Sequence, residues 1–183
     1  MEIIEVGIKL DKDFIYYDEM LKKKGLINDI NVITHDMYYT NKSLDNHSEE
    51  EMKNACIRLR SVDNSDYVIQ NNLINEIDIK TIKESELNDY EEKLSSYGYK
   101  KVFDTIKKDH QYHIEGSGSI QLQEIDNIGL VVYYDNGKYY NLEPEEQKRK
   151  LIDELNSFGF ELSYNDLNID KLRTLYYGKE MFS

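Results

Sequence analysis

Cysteine is all but absent from this chain: Cys56 stands alone among 183 residues. A single thiol closes no internal disulfide, and the start Met1-Glu2-Ile3-Ile4-Glu5 lacks the basic and apolar blocks of a secretory signal. The expected compartment is therefore the cytoplasm. Cationic surplus is also missing. Lys and Arg number 23 against 36 Asp and Glu, a formal net charge of -13, which opposes general attraction to a DNA or RNA backbone. No apolar run is long enough to span a bilayer, so membrane insertion is not expected. His35, His47, His110 and His113 fall at no zinc spacing and have no cysteine cluster to join. Gly116-Ser117-Gly118-Ser119 lacks the lysine and the following helix of a phosphate cradle and reads as a hairpin loop, and no nucleophile elbow is present.

What is present is alternation. Ile4, Val6, Ile8 and Leu10 interleave with Ile3, Glu5, Gly7 and Lys9, so a strand places Glu5 and Lys9 on one face and an aliphatic row on the other. Ala55, Ile57 and Leu59 oppose Arg58 and Arg60 in the same way. Further strands are expected over Asn31 to Tyr39, Tyr67 to Gln70, Leu73 to Lys83, Tyr99 to Tyr112, Ser119 to Ile125 and Leu130 to Asp135. In the Leu73 strand Glu76, Asp78 and Lys80 share a face. Asp135-Asn136-Gly137 is expected to turn a hairpin into Lys138-Tyr139-Tyr140. Helices are expected from an Asp11 cap to Gly25, from a Ser85 cap to Gly98, and from Pro144 to Gly159, each ended by its glycine. Thr40 to Lys53 reads as a polar excursion with the character of a solvated insertion or a lid. The interleaving predicts one α+β domain over 1–183, its sheet packed outside by helices. If that sheet curls into a barrel, the acid, lysine and arginines converge on an interior suited to a multiply charged anion and its metal.

In their order along the chain these residues resemble the CYTH superfamily, the triphosphate tunnel enzymes that include class IV adenylate cyclases, thiamine triphosphatases and inorganic triphosphatases. Glu5-Val6-Gly7-Ile8-Lys9 is similar to the family's opening Glu-x-Glu-x-Lys strand, Asp36-Met37-Tyr38 to its Asp-x-Tyr element, and Arg58-Leu59-Arg60 to its arginine-rich strand. Glu76-Ile77-Asp78, Tyr97-Gly98-Tyr99, Lys107 to Tyr112, Gly129 to Asp135 and Leu162-Ser163-Tyr164 follow in family order. The resemblance implies a cytosolic eight-stranded antiparallel β-barrel, the triphosphate tunnel, with helices outside. It implies Mg²⁺ or Mn²⁺ on carboxylates, a triphosphate-bearing partner such as ATP, tripolyphosphate or thiamine triphosphate, and homodimers.

Carried over residue by residue, the resemblance makes Glu5, Lys9, Arg58 and Arg60 the catalytic candidates. Lys9, Arg58, Arg60, Lys80, Lys107 and His110 are the substrate-side candidates, and Glu5, Glu76, Asp78 and Asp135 the metal-side ones. The chain also departs from the family pattern. Gly7 replaces the second glutamate, Tyr133 an acid, Asp109 an arginine, and Gln70 the polar residue of a Thr-x-Lys. Lys80, Lys107, Lys108 and His110 are the cations placed to compensate. The implied activity is metal-dependent cyclisation of a nucleotide, as in the class IV cyclases, or hydrolysis of a triphosphate. The rival is a catalytically degenerate nucleotide or polyphosphate binder with an incomplete metal site. An acidic interaction protein that kept only the scaffold is a third reading.

Overall fold

The computed structural model describes residues 3–42, 54–114 and 118–165. Eight strands and three α-helices occur in them: β1 (Glu5–Lys9), α1 (Phe14–Lys23), β2 (Ile27–Thr40), β3 (Ile57–Val62), β4 (Tyr67–Gln70), β5 (Thr81–Ile82), α2 (Leu87–Ser96), β6 (Lys100–Ile114), β7 (Gly118–Ile125), β8 (Gly129–Asp135) and α3 (Pro144–Ser157). The strand order is β1-β8-β7-β6-β2-β3-β4-β5, and the ladders β1·β8, β7·β8, β2·β3, β3·β4 and β4·β5 are antiparallel. The α+β class expected from the sequence is the class observed. Most of the Thr40 to Lys53 excursion lies outside the described residues, as do Gly116 and Ser117.

The closed barrel is not formed, because the strand order has two ends, β1 and β5. After β4 the expected strand Leu73 to Lys83 shrinks to Thr81–Ile82. Asn71 adopts a φ of 55°. Asn72 accepts from the Ile74 N–H at 3.1 Å and donates to the Ile77 carbonyl at 2.6 Å. Asparagine side chains that capture nearby backbone groups compete with a sheet ladder, and here they hold the chain in turns.

By internal contacts the described residues divide into two compact units, one within Met1–Asn31 and Lys108–Leu172, the other within Val32–Lys107. In the first unit the aliphatic row of β1 is buried as its alternation predicts. Val6 and Ile8 pack with Ile120, Leu122, Val132 and Tyr134 beneath Tyr17 and Leu21 of α1 and Leu151, Ile152 and Leu155 of α3. The cap of α1 is Asp13, whose Oδ1 accepts from the Tyr16 N–H at 3.0 Å. The expected cap, Asp11, instead accepts from the Tyr17 hydroxyl at 2.8 Å. Burial, with this bond next, pushes the Tyr17 phenol up to about 12. Helix α3 opens at Pro144 and ends before Gly159, whose φ of +110° strains any residue with a side chain and which lies against the Met20 side chain. The expected hairpin after Asp135 is a 3₁₀ turn over Gly137–Tyr139, because the Asn136 side chain accepts from the Lys138 N–H at 3.1 Å.

In the second unit α2 starts at Leu87, after a 3₁₀ turn over Glu84–Glu86. The entry is fixed by the Glu86 carboxylate, which accepts from the Lys83 N–H at 3.1 Å, and not by the expected Ser85. Tyr90 and Leu94 of α2 pack on Met37, Tyr39, Ile57, Leu59, Tyr67, Ile77 and Ile82. Cys56 is 1% exposed, and burial pushes its thiol up to about 11 against a smaller opposing bond from Thr40. A thiol reagent at neutral pH is therefore expected to label the native chain far more slowly than the urea-unfolded chain. Equal labelling rates, followed by absorbance, would contradict this burial. Among the described residues no helix is long and apolar enough to cross a membrane.

Candidate functional site

In the second unit the face turned away from α2 is built by strand parity. Ile57 and Leu59 of β3 enter the core at 0% exposure, so Arg58 and Arg60 must point the other way. The β2·β3 register sets Asp36 opposite Arg60 and Tyr38 opposite Arg58, and β4 brings Gln70 opposite Arg58. Two of the sequence candidates, Arg58 and Arg60, thus share a face, and Lys107 of β6 joins them.

Asp36 organises this face. It is fully buried, and its Oδ1 and Oδ2 accept a fork from Arg60 Nε and Nη2, both at 2.7 Å. Lys107 Nζ reaches Oδ2 at 3.2 Å. Burial is the largest single influence on the Asp36 carboxyl and opposes ionisation. The Arg60 bonds and the Lys107 charge outweigh it and hold the group below its ordinary range. Arg58 donates from Nη1 to the Tyr38 hydroxyl at 3.3 Å and lies 5.9 Å from the centre of that ring. Tyr38 is in turn braced edge-on by Phe103. Two cations thus meet one carboxylate, and Arg58 lies on the same face at a half-buried position. Gln70 Oε1 and Thr105 Oγ1 are buried beside no hydrogen-bond partner among the described residues.

The remaining candidates are placed differently. Glu76, Asp78 and Lys80 are exposed on the turns between β4 and β5 and lie in no strand, which corrects their expected common strand face. In the first unit Glu5 and Asp135 are exposed and directly opposite one another at the end of the β1·β8 ladder. Lys9 is exposed opposite Val131 and lines a 240 Å³ cavity with Lys12, Tyr16, Tyr17 and Glu161. His110 lies on the helix-packed side. Its ring stacks on Phe14 at 4.0 Å while Nδ1 meets Asn31 Oδ1 at 2.6 Å and Nε2 meets Glu124 Oε2 at 3.0 Å.

These donors do not fit a Mg²⁺ or Mn²⁺ ion. Hard divalent cations take several oxygen ligands, yet among the described residues no three Asp, Glu, His or Cys side chains gather in metal-binding proximity. Both Asp36 oxygens are already engaged by Arg60 and Lys107. Asp36 is not among the site candidates expected from the sequence. Its parity with Tyr38, and the parity of Arg58 with Arg60, was the available signal, but their meeting depends on a long-range register.

No protein-family model matches the chain, and no curated protein matches it. Solved structures do share the fold. A protein of Pyrococcus horikoshii is similar with a TM-score of 0.55 at 16% identity, covering 91% of this chain and 100% of its own. A second protein of that organism gives 0.51 at 18% identity, with 93% and 99% covered. An adenylyl cyclase candidate from Hippeastrum, described as revealing a dominant triphosphatase activity, gives 0.55 at 14% identity over 97% of this chain and 96% of its own. At this identity the likeness is one of fold. The fold of this chain is the one that these solved structures share.

Proposed function

We propose that this chain binds a small polyphosphate anion, a triphosphate or nucleotide, on the face that carries Arg58, Arg60 and Lys107. The observation that carries the reading is the positive charge on this face: Arg60 and Lys107 share one buried carboxylate, and Arg58 beside them is bonded to a phenol. One carboxylate offsets a single charge and fixes the geometry of Arg60 and Lys107. Arg58 is the cation best placed to turn to a ligand, since its partner is a neutral phenol and not a carboxylate. Guanidinium groups suit phosphate because their planar donors match its oxygens in pairs. The net charge of -13 does not oppose this. Diffuse surface charge is screened beyond roughly 8 to 10 Å, whereas a half-buried cluster acts at contact.

Because the described carboxylates do not assemble a metal site, the binding-module reading stands first. A metal-dependent cyclase or triphosphatase is the second reading, favoured by the fold shared with the Hippeastrum protein. In that case Glu5, Lys9 and Asp135 are its candidate residues in the first unit, and Arg58 and Arg60 those in the second.

Calorimetric titration of tripolyphosphate and of ATP, in EDTA and again in Mg²⁺, separates the two. Saturable binding that survives EDTA is expected, with Arg58→Ala weakening it by about tenfold or more. Phosphate or cyclic-nucleotide release that requires Mg²⁺ or Mn²⁺ would put the enzyme reading first. Binding unchanged in Arg58→Ala would remove the site assignment.

A further inference from the structure

The face that carries Arg58, Arg60 and Lys107 has two unlike ends. Met37 of β2, Leu59 of β3, Tyr67 of β4 and Ile82 of β5 all enter the core beneath α2, so Asp36, Arg60, Val68 and Thr81 point the other way. The ladders set those four in one row across the strands: Asp36 opposite Arg60, Arg60 opposite Val68, Val68 opposite Thr81. Further along β3 than Arg60, Val62 stands on the same face opposite Thr34.

Exposure rises from one end to the other. On the Arg58 side Tyr38, Cys56 and Phe103 are packed together at 4%, 1% and 4% exposure, which closes that end. On the Arg60 side Val68 is 45% exposed and Val62 39%. Lone exposed valines are ordinary on a protein surface, but these are neighbours of one another and of a guanidinium. Side chains directly opposite lie about 5 Å apart and diagonal ones about 7–8 Å, so Val68 borders the space that an anion on Arg60 occupies and Val62 extends that border. A phosphate held there has a closed wall on one side and open methyl groups on the other. The valines are therefore the open course for a group esterified to it. Tyr38 and Phe103 meet edge-on at 5.5 Å and are too buried to stack on a flat base. Methyl groups suit an aliphatic chain instead, and removing both apolar surfaces from water is favourable.

Given the anion site proposed above, on which this rests, we propose that the ligand of this face is a polyphosphate ester of an aliphatic alcohol. Its phosphates lie on Arg58, Arg60 and Lys107, and its chain lies over Val68 and Val62. The cations hold the anion through charge-assisted bonds, and the two valines set which substituent is accepted. An inorganic polyphosphate uses only the first part of the site and leaves the valines in water.

The test is calorimetric titration of the parent chain with pyrophosphate, geranyl diphosphate and geraniol, in about 0.15 M salt, where surface attraction is screened beyond roughly 8 Å. Geranyl diphosphate is expected to bind at one site about tenfold more tightly than pyrophosphate, and geraniol not to bind. The double variant Val62→Thr with Val68→Thr keeps β-branched residues on both strands. It should lose most of the tenfold gain and hold pyrophosphate as the parent does. Ile15→Thr, at a residue of α1 that is 63% exposed, should lose nothing, which separates this patch from general adhesion to apolar surface. If pyrophosphate binds, is weakened by Arg58→Ala, and is bound as tightly as its geranyl ester, the anion site stands and the proposal for the chain is overturned; this comparison needs no valine variant. A gain that survives in the double variant, a gain equally lost in Ile15→Thr, or geraniol bound as tightly as the ester would also overturn it. If neither pyrophosphate nor tripolyphosphate binds, the anion site is wrong and the proposal falls with it.

Discussion

Asp36→Asn is expected to lower the free energy of unfolding by about 2–4 kcal/mol and, in the same protein, to tighten the binding of tripolyphosphate. Asp36 is fully buried and accepts three bonds from Arg60 and Lys107. The amide keeps the shape and loses the charge, so Arg60 and Lys107 both lose their ion pair with this position. Breaking a buried ion pair from one side costs about 3–5 kcal/mol. The lower range is set here by Arg60, whose side chain is 31% exposed and so partly solvated, while Lys107 at 11% is not. The released charge is the charge a phosphate ligand would meet. Tripolyphosphate should then restore stability by mass action, by about 2.7 kcal/mol at a hundred times its dissociation constant. Urea unfolding with and without the ligand measures both effects. If Asp36→Asn destabilises the chain and also weakens tripolyphosphate binding, Asp36 serves the ligand directly and the argument from positive charge is wrong.

The parts of this fold that were legible in the sequence are those decided within a few residues. Alternation places Val6 and Ile8 inward and Glu5 and Lys9 outward because a strand has two faces and only one of them is covered. Gly25, Gly98 and Gly159 end helices because each adopts positive φ. What misled was also local. Ile77 and Ile79 mimic an alternating strand, but the isoleucines that are fully buried are Ile74 and Ile77, three residues apart, a spacing that fits the turn held by Asn72. Between Asp11 and Asp13 the choice of cap rests on the Tyr17 hydroxyl, which takes Asp11 for itself. The candidate site was half legible. That Arg58 and Arg60 share a face follows from parity. That Asp36 holds Arg60 and Lys107 follows from the pairing of segments far apart in the chain, which no local pattern encodes.

The charged and phenolic pairs also predict a stability profile with two edges. Asp36, Asp18, Glu91 and Glu154 are all held below their ordinary values of 3.8 for Asp and 4.5 for Glu. In each, burial is the largest influence and opposes ionisation, and the partners overcome it: Arg60 and Lys107 for Asp36, Lys22 and Tyr112 for Asp18, Tyr39 and Lys101 for Glu91, Lys138 and Tyr134 for Glu154. A carboxyl whose folded value is depressed binds fewer protons folded than unfolded, so its contribution is complete above the unfolded value and is lost as pH falls through the folded one. The phenols have the opposite sign. Tyr17, Tyr39, Tyr112 and Tyr134 are raised above 10, first by burial and next by the carboxylates they bond. Their contribution is complete below 10 and fades as pH climbs above it. Urea unfolding from pH 3 to pH 11 should therefore show a plateau from about 5 to about 9, with an acid limb below about 4.5 and an alkaline limb above about 10. In Asp36→Asn the acid limb should become shallower, by at most about 1.4 kcal/mol per pH unit for the one proton removed, while the alkaline limb is unchanged. An acid limb just as steep in that variant would mean that Asp36 is not among the groups whose protonation unfolds the chain, and that its bonds to Arg60 and Lys107 persist in the unfolded ensemble.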